Sequence, residues 1–398
     1  MTVVPHDELA RVVRDHAGRL AASLVHLTGD FGAAEDLVQD AVEAALRHWS
    51  ADGIPDRPDA WLYTVARRRG LDVLRRDALH RGKLALLVWP AQPDPGDLLR
   101  LIFTCCHPAL PRTAQVALTL RVVCGLTTAQ IAKAFLIPES TVGQRITRAK
   151  RKIAQAGIPY RVPGPDELGD RLAMVLAVVY LLFNEAYLPS TAEPERGRDL
   201  ADDAEFLAAT LHNLMPGEPE VTGLLALIRL HRARAAARFD EHGDLVQLPD
   251  QDRTLWDRAG ITEATRLIST AAAQRRPGPY QLQAAIVACH AEAPGWEATD
   301  WPQIRVLYDM LLHLAPSPVT RLHRAVANRY VAGPVAALDE VNGLADVLAG
   351  YHLFHATRAE LLRDLHRPDE ARAADERALA LTANPAEQSL LRQRLSWA

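Results

Sequence analysis

Apolar residues recur at three- and four-residue spacing through almost the whole chain, Ala, Leu and Arg dominate, and no convincing strand-type alternation interrupts them. The pattern predicts an all-α protein. Proline and glycine mark where its helices stop. Trp89 to Gly96, WPAQPDPG, cannot continue a helix and reads as a linker. Tyr160 to Pro165, YRVPGP, marks a second boundary, and shorter breaks fall at Pro189–Pro194, Met215–Pro219, Arg276–Pro279 and Ala315–Pro318. Helical domains are therefore expected over 1–88 and 97–157, joined by a linker at 89–96, and a larger helical region over 166–398 divides near residue 280 into 166–280 and 281–398. In the last part Arg324-Ala325 and Arg358-Ala359 stand 34 residues apart, as do Val331 and Leu365, and Ala337 and Ala371. That is the tetratricopeptide period, in which small residues let paired helices approach, and Arg367 to Pro385 fits a second helix with its exit turn. Generic helical hairpins are the alternative.

Composition narrows the class. With 48% apolar and 24% charged residues, this is an ordinary globular chain of two to three domains. Four cysteines cannot staple 398 residues, which points to a reducing, cytoplasmic setting. The N-terminal stretch carries no apolar core of signal-peptide type. The longest apolar run, Leu172 to Phe183, is too short to cross a bilayer and predicts a buried helix rather than a membrane partner.

The net charge of −4 conceals a division: residues 1–157 carry +5 and residues 158–398 carry −9. Within the first part, residues 100–157 hold nine basic residues against Glu139 alone, and residues 60–83 have a net charge of +5. Two basic segments on an otherwise acidic chain are the footprint of a nucleic-acid binder. The second carries a helix-turn-helix pattern, LTTAQIAKAFLIPESTVGQRITRAKRKI, from Leu126 to Ile153. Thr127 or Thr128 caps its first helix. Ile131, Ala132 and Phe135 face inward, Leu136 to Pro138 turn, and Val142, Ile146 and Ala149 form the buried stripe of the second helix. That leaves Ser140, Thr141, Gln144, Arg145 and Arg148 facing outward, a set suited to base edges in a major groove. Lys150, Arg151 and Lys152 would meet phosphate. The first basic segment, PDAWLYTVARRRGLDVLRR from Pro58 to Arg76, is a helix with Asp59 as cap, interleaving aromatics with arginines as single-strand binding requires. Just upstream, Glu35, Asp36, Gln39 and Asp40 form one polar face.

Taken in order, these elements resemble the bacterial sigma factors of the extracytoplasmic-function group. That family's region 2 carries an acidic "EDL-Q" helix, here Glu35-Asp36-Leu37 with Gln39, then a "W-x-x-x-x-A-R…D-x-x-R-R" helix, here Trp61, Ala66-Arg67, Asp72 and Arg75-Arg76. Region 4 carries the helix-turn-helix. The phrase FTCCHPALP (Phe103 to Pro111), a YLLFNEAY helix (Tyr180 to Tyr187) and a DQDR turn (Asp250 to Arg253) resemble the subgroup with a long, tetratricopeptide-like C-terminal extension.

The resemblance implies two small helical sigma domains followed by a large helical extension, and a non-enzymatic function: directing core RNA polymerase to promoters. Glu35, Asp36, Leu37, Gln39 and Asp40 would bind the polymerase clamp helices. Ser140, Thr141, Gln144, Arg145, Arg148, Lys150 and Arg151 would engage the −35 element, and Trp61, Tyr63, Thr64, Arg67, Arg68, Arg75 and Arg76 the −10 element. The extension would modulate activity, with a regulatory protein docking on its repeats. One position departs from the family pattern: Arg68 stands where Asn is frequent, and a guanidinium cannot pair with a base edge as a planar amide does. The competing reading is a helix-turn-helix regulator with a ligand- or partner-binding C-terminal domain, which leaves residues 33–76 without a purpose.

Other clusters promise less. Cys105, Cys106 and His107 with Cys124 lack the two-residue spacing that lets two thiolates converge on a metal, so buried thiols are expected. Asp202, Asp203 and Glu205 have no nearby His or Gly-rich loop to make a catalytic pair. No cofactor or metal is expected, and no phosphate loop, nucleophile elbow or HExxH motif occurs.

Overall fold

A computed structural model describes residues 6–81, 94, 96–135, 137–187, 200–241 and 243–396. They are helical apart from turns and one isolated bridge, Phe239 to Leu245. The chain divides into two compact units, Met1–Leu182 and Phe183–Ala398. The division falls inside a helix, beyond the expected boundary at 166.

The first bundle of the N-terminal unit comprises α1 (His6–Thr28), α2 (Phe31–Asp52) and α3 (Pro58–Arg81). Gly29, at φ +67°, turns the chain out of α1. Asp30 then caps α2, its Oδ1 accepting from the N–H groups of Gly32 (2.6 Å) and Ala33 (3.0 Å). Leu20, Leu24, Leu37, Ala41, Trp49, Leu62 and Ala66 fill the interior. Asp59 lies in the first turn of α3, one residue inside the helix, so it complements the helix dipole instead of capping.

The second bundle comprises α4 (Asp97–Cys105), α5 (Arg112–Val122), α6 (Thr128–Ala134) and α7 (Glu139–Gln155), followed by α8 (Pro165–Tyr187). Leu101, Ile102, Phe103, Leu118 and Leu120 make its core, with Cys105, Cys106 and Cys124 buried among them. Burial pushes the Cys106 thiol up to about 12, so it stays protonated. His107 is used by its own turn: its Nδ1 accepts from the Ala109 N–H (3.1 Å), and Gln115 Nε2 donates to the carbonyls of His107 (2.9 Å) and Leu110 (3.0 Å). FTCCHPALP is thus a core helix end and its turn.

In the C-terminal unit, α9 (Leu200–Leu214), α11 (Arg258–Ala273) and α12 (Pro279–Glu292) surround α10 (Pro219–Arg232). α10 is apolar nearly all round, burying Val221, Leu224, Leu225, Leu227, Ile228 and Leu230. Asp202 and Glu205 of α9 are ion-paired to Arg232 at 2.5 and 2.8 Å. Then come α13 (Trp301–Leu314), α14 (Pro318–Ala332), α15 (Pro334–Asn342), α16 (Ala345–Leu348), α17 (His352–Asp364), α18 (Pro368–Leu381) and α19 (Pro385–Ser396). The starts of α14 and α17 are 34 residues apart, and so are those of α15 and α18. Ala325, Ala337, Ala359 and Ala371 are all buried, one on each helix of the packed pairs α14–α15 and α17–α18.

Three half-buried histidines of this unit, His212, His231 and His290, are held below the ordinary imidazole range, first by burial and then by neighbouring arginines; His290 falls to about 4. Once unfolded they bind protons near pH 6.5. Their contribution is therefore complete above about pH 6.5 and is lost as pH falls toward 4. The melting transition of the C-terminal unit should move down between pH 7 and 5, and His290→Gln should flatten part of that slope. A transition independent of pH in both proteins would refute this.

Candidate nucleic-acid interface

The helix-turn-helix is built by local rules. Gly125, at φ +72°, lets the Leu126 N–H return to the Leu120 carbonyl (3.0 Å), closing α5. Thr127 and Gln130 form a reciprocal capping box: Thr127 Oγ1 accepts from the Gln130 N–H (3.1 Å), and Gln130 Oε1 accepts from the Thr127 N–H (2.9 Å). Across the turn, the Thr128 hydroxyl donates to Glu139 Oε1 (2.7 Å) and ties α6 to α7. Pro138 ends the turn in extended conformation, immediately before the first residue of α7, Glu139. Ile131, Val142, Ile146, Ala149 and Ile153 are buried.

This packing turns Ser140, Gln144 and Arg148 fully outward and leaves Thr141 and Arg145 half-buried beside them. Arg145, Arg148 and Lys152 rim a cleft of about 450 Å³ between α7 and the 109–114 turn, whose floor is Leu110, Ala114 and Ala149. Arg151 is exposed. Lys150 is placed differently from its neighbours: its Nζ lies 2.5 Å from Glu35 Oε2, on α2 of the first bundle.

On α3, Thr64 and Arg68 are exposed, and Arg67 and Arg69 are half-buried. Thr64 Oγ1 donates to the Ala60 carbonyl (2.7 Å), and Arg69 pairs with Asp40 at 2.7 Å. Trp61 sits half-exposed, edge-on to Trp49 (5.3 Å between centroids) and His48 (6.0 Å). Tyr63, two residues on, is only 3% exposed. Residues two apart on a helix point to nearly opposite sides, so the two rings cannot share one surface. Arg75 and Arg76 lie where α3 side chains are outside the described residues. On α2, Asp36 and Gln39 are exposed, whereas Leu37 belongs to the core. Glu35 and Asp40 are both engaged in ion pairs.

A set of contacts between the two bundles has no counterpart in the sequence reading. Glu35 faces Lys150 and also Arg121 Nε, at 3.7 Å. The Tyr160 hydroxyl reaches the carbonyls of Ala22 (2.7 Å) and Asp97 (2.9 Å), and its ring stacks on His26. Burial raises the Tyr160 phenol far above its ordinary range, which keeps the donor protonated. Gly18 of α1 is buried so close to the Val123 carbonyl that a Cβ there would lie 2.1 Å from its oxygen. Arg171 of α8 donates to the Phe103 carbonyl (2.7 Å), fastening α8 to α4. Only Tyr160, in a segment read as a boundary, was available as a signal.

Comparison with known families matches this architecture. The Sigma-70 region 2 model matches residues 12–79 and the Sigma-70, region 4 model residues 100–153. A family of unknown function, DUF6596, matches residues 171–272. An uncharacterized protein of Rhizobium meliloti (strain 1021) is 45% identical over 376 residues, covering 91% of this chain and 89% of that one. The ECF RNA polymerase sigma factor SigL of Mycobacterium tuberculosis is 34% identical over 147 residues, 35% of this chain and 82% of SigL. A probable ECF RNA polymerase sigma factor, SigI, of the same species is 29% identical over 166 residues, 38% of this chain and 57% of SigI. No solved structure matches. With both sigma regions matched in order on the two bundles, the chain belongs to the ECF RNA polymerase sigma factors.

Proposed function

We propose a division of labour among the surfaces of this sigma factor, which directs core RNA polymerase to promoters for transcription initiation. Ser140, Thr141, Gln144, Arg145 and Arg148 read the −35 duplex, with Arg151 on phosphate. The observation that carries this is one-sidedness: α7 buries Val142, Ile146, Ala149 and Ile153 along one side, and Arg145, Arg148, Arg151 and Lys152 have no ion pair among the described residues. Lys150 joins the phosphate contacts once it leaves Glu35. Arg145→Ala should weaken binding to the cognate −35 duplex by about 1–3 kcal/mol while leaving a scrambled duplex nearly unaffected. Equal losses on both duplexes would make Arg145 a phosphate contact, and no loss on either would remove it from the interface.

Trp61, Thr64, Arg67 and Arg68 meet the separated −10 strands, where aromatic stacking contributes about 1–3 kcal/mol per base. Tyr63 supports that surface from the core, and Arg75 and Arg76 enter through the family motif. Asp36 and Gln39 are the exposed part of the polymerase face, which Glu35 and Asp40 complete by exchanging their present arginine and lysine partners.

The C-terminal unit modulates this activity in the cytoplasm. Its 34-residue helix spacing and buried alanines support a tetratricopeptide-like surface for a regulatory protein. Removing residues after 187, which preserves α8 and its Arg171 contact, should change promoter-directed transcription by core polymerase. Identical activity of the fragment and the full chain would end the modulation reading.

A further inference from the structure

The DQDR turn of the C-terminal unit, absorbed by neither sigma region, lies against the end of α12. Arg253 Nη1 donates to the carbonyls of His290 (2.8 Å) and Ala293 (2.7 Å), and Arg258 Nη1 donates to that of Ala291 (3.3 Å). Both guanidinia lie over the buried Trp256 ring, at 4.4 and 5.8 Å. These contacts cap a helix terminus and would suffice for a structural role, but they use one nitrogen of each arginine. The other guanidinium nitrogens carry no hydrogen bond to these carbonyls, and both arginines line the cleft beside the turn.

Charge points to its chemistry. Several half-buried arginines of this acidic unit meet carboxylates: Arg229 with Glu205, Arg232 with Asp202, Arg324 with Glu340, and Arg329 with Glu360. Half-buried Arg253 and exposed Arg258 have none within ion-pair distance among the described residues. The helix end facing them supplies only about half a negative charge. Arg253 is pushed below its ordinary range by burial and then by the charges of Arg258 and Arg234. Asp252, which lines the cleft, is engaged by Thr254, whose N–H and hydroxyl donate to its Oδ1 at 2.8 and 2.7 Å. Beside these groups opens a cleft of about 570 Å³, with the Trp296 ring as a wall and Gly295 and Thr254 on its rim.

We propose that this cleft binds a small oxyanion-bearing ligand, a carboxylate or a phosphate ester, held by the Arg253 and Arg258 guanidinium groups against Trp296. The site lies wholly in the C-terminal unit and stands independently of the promoter and polymerase assignments.

Thermal unfolding of the full chain at fixed ionic strength tests it, with sodium chloride, inorganic phosphate and succinate as alternative salts. Phosphate or succinate should raise the transition of the C-terminal unit saturably, by about 2–4 °C over chloride. A response to phosphate alone assigns a phosphate ester, and to succinate alone a carboxylate. Arg258→Gln should remove most of the rise; Arg258 is exposed and holds a single long carbonyl contact, so the variant folds. Arg276→Gln, at a different surface of the same unit, should keep it. The absence of a saturable rise over chloride with either salt, or an equal rise in Arg258→Gln, overturns the proposal.

Discussion

Trp49→Ala should strongly destabilise the first bundle and weaken its binding to core polymerase. Trp49 is 2% exposed at the end of α2 and holds Trp61 of α3 edge-on. Deleting a buried indole costs about 3–5 kcal/mol, because the lost transfer energy is joined by the cavity left behind. A domain of this size has only about 5–15 kcal/mol in total. The loss therefore reaches both proposed surfaces, the polymerase face on α2 and the −10 face on α3. Denaturant unfolding followed by tryptophan fluorescence should show the first transition moving to much lower denaturant, and pull-down with core polymerase should weaken. Trp49→Phe should recover much of both. If Trp49→Ala unfolds within about 1 kcal/mol of the parent, the packing account is wrong.

Gly18→Ala should separate the two bundles without harming either. In an isolated helix this change is favourable by about 0.5–1 kcal/mol, because glycine is a poor helix former. Here the new Cβ meets the Val123 carbonyl oxygen at 2.1 Å and its carbon at 3.1 Å. Both are backbone atoms at the end of α5, so no side chain can swing aside, and the bundles must move apart by more than an ångström. That movement strains the Tyr160 hydrogen bonds and the Glu35–Lys150 pair together. Spin labels at Ser50 and Arg151, in a Cys289→Ser background, should report a longer and broader distance distribution at unchanged helix content. An unaltered distribution would show that the contact yields by local adjustment and does not hold the bundles.

Legibility in the sequence tracked locality. The helix-turn-helix was readable because the capping box at Thr127 and Gln130, the turn and the stripe of Val142, Ile146 and Ala149 all lie within one short stretch. The 34-residue spacing survives as the spacing of helix starts, since it too is a one-dimensional property. What the pattern could not provide was pairing at a distance. Glu35 and Lys150 were each assigned an outside partner, polymerase and phosphate, yet they are 115 residues apart in sequence and face each other. Nothing in either local pattern encodes that. Tyr63 shows a different limit. Aromatic–arginine interleaving suggested a stacking surface for both rings of α3, but helical geometry had already placed Trp61 and Tyr63 on opposite sides. The DQDR turn was visible as a motif, while the contacts of Arg253 with the carbonyls at the end of α12 emerge only when α12 is brought against it.

If Glu35 meets polymerase and Lys150 meets phosphate as proposed, the Glu35–Lys150 contact would make the chain a coincidence detector. Polymerase would need the carboxylate that α7 holds, and phosphate the ammonium that α2 holds. Whichever macromolecule arrived first would do the work of parting them, and the second would bind a partner already prepared. Reciprocity would follow: each would raise the other's affinity by the same factor. If the parted form is about one molecule in a hundred, the first arrival binds about 100-fold more weakly than its intrinsic affinity, and the second recovers that factor. Free sigma factor would then scan DNA weakly by itself, and selectivity would appear only in the assembled holoenzyme.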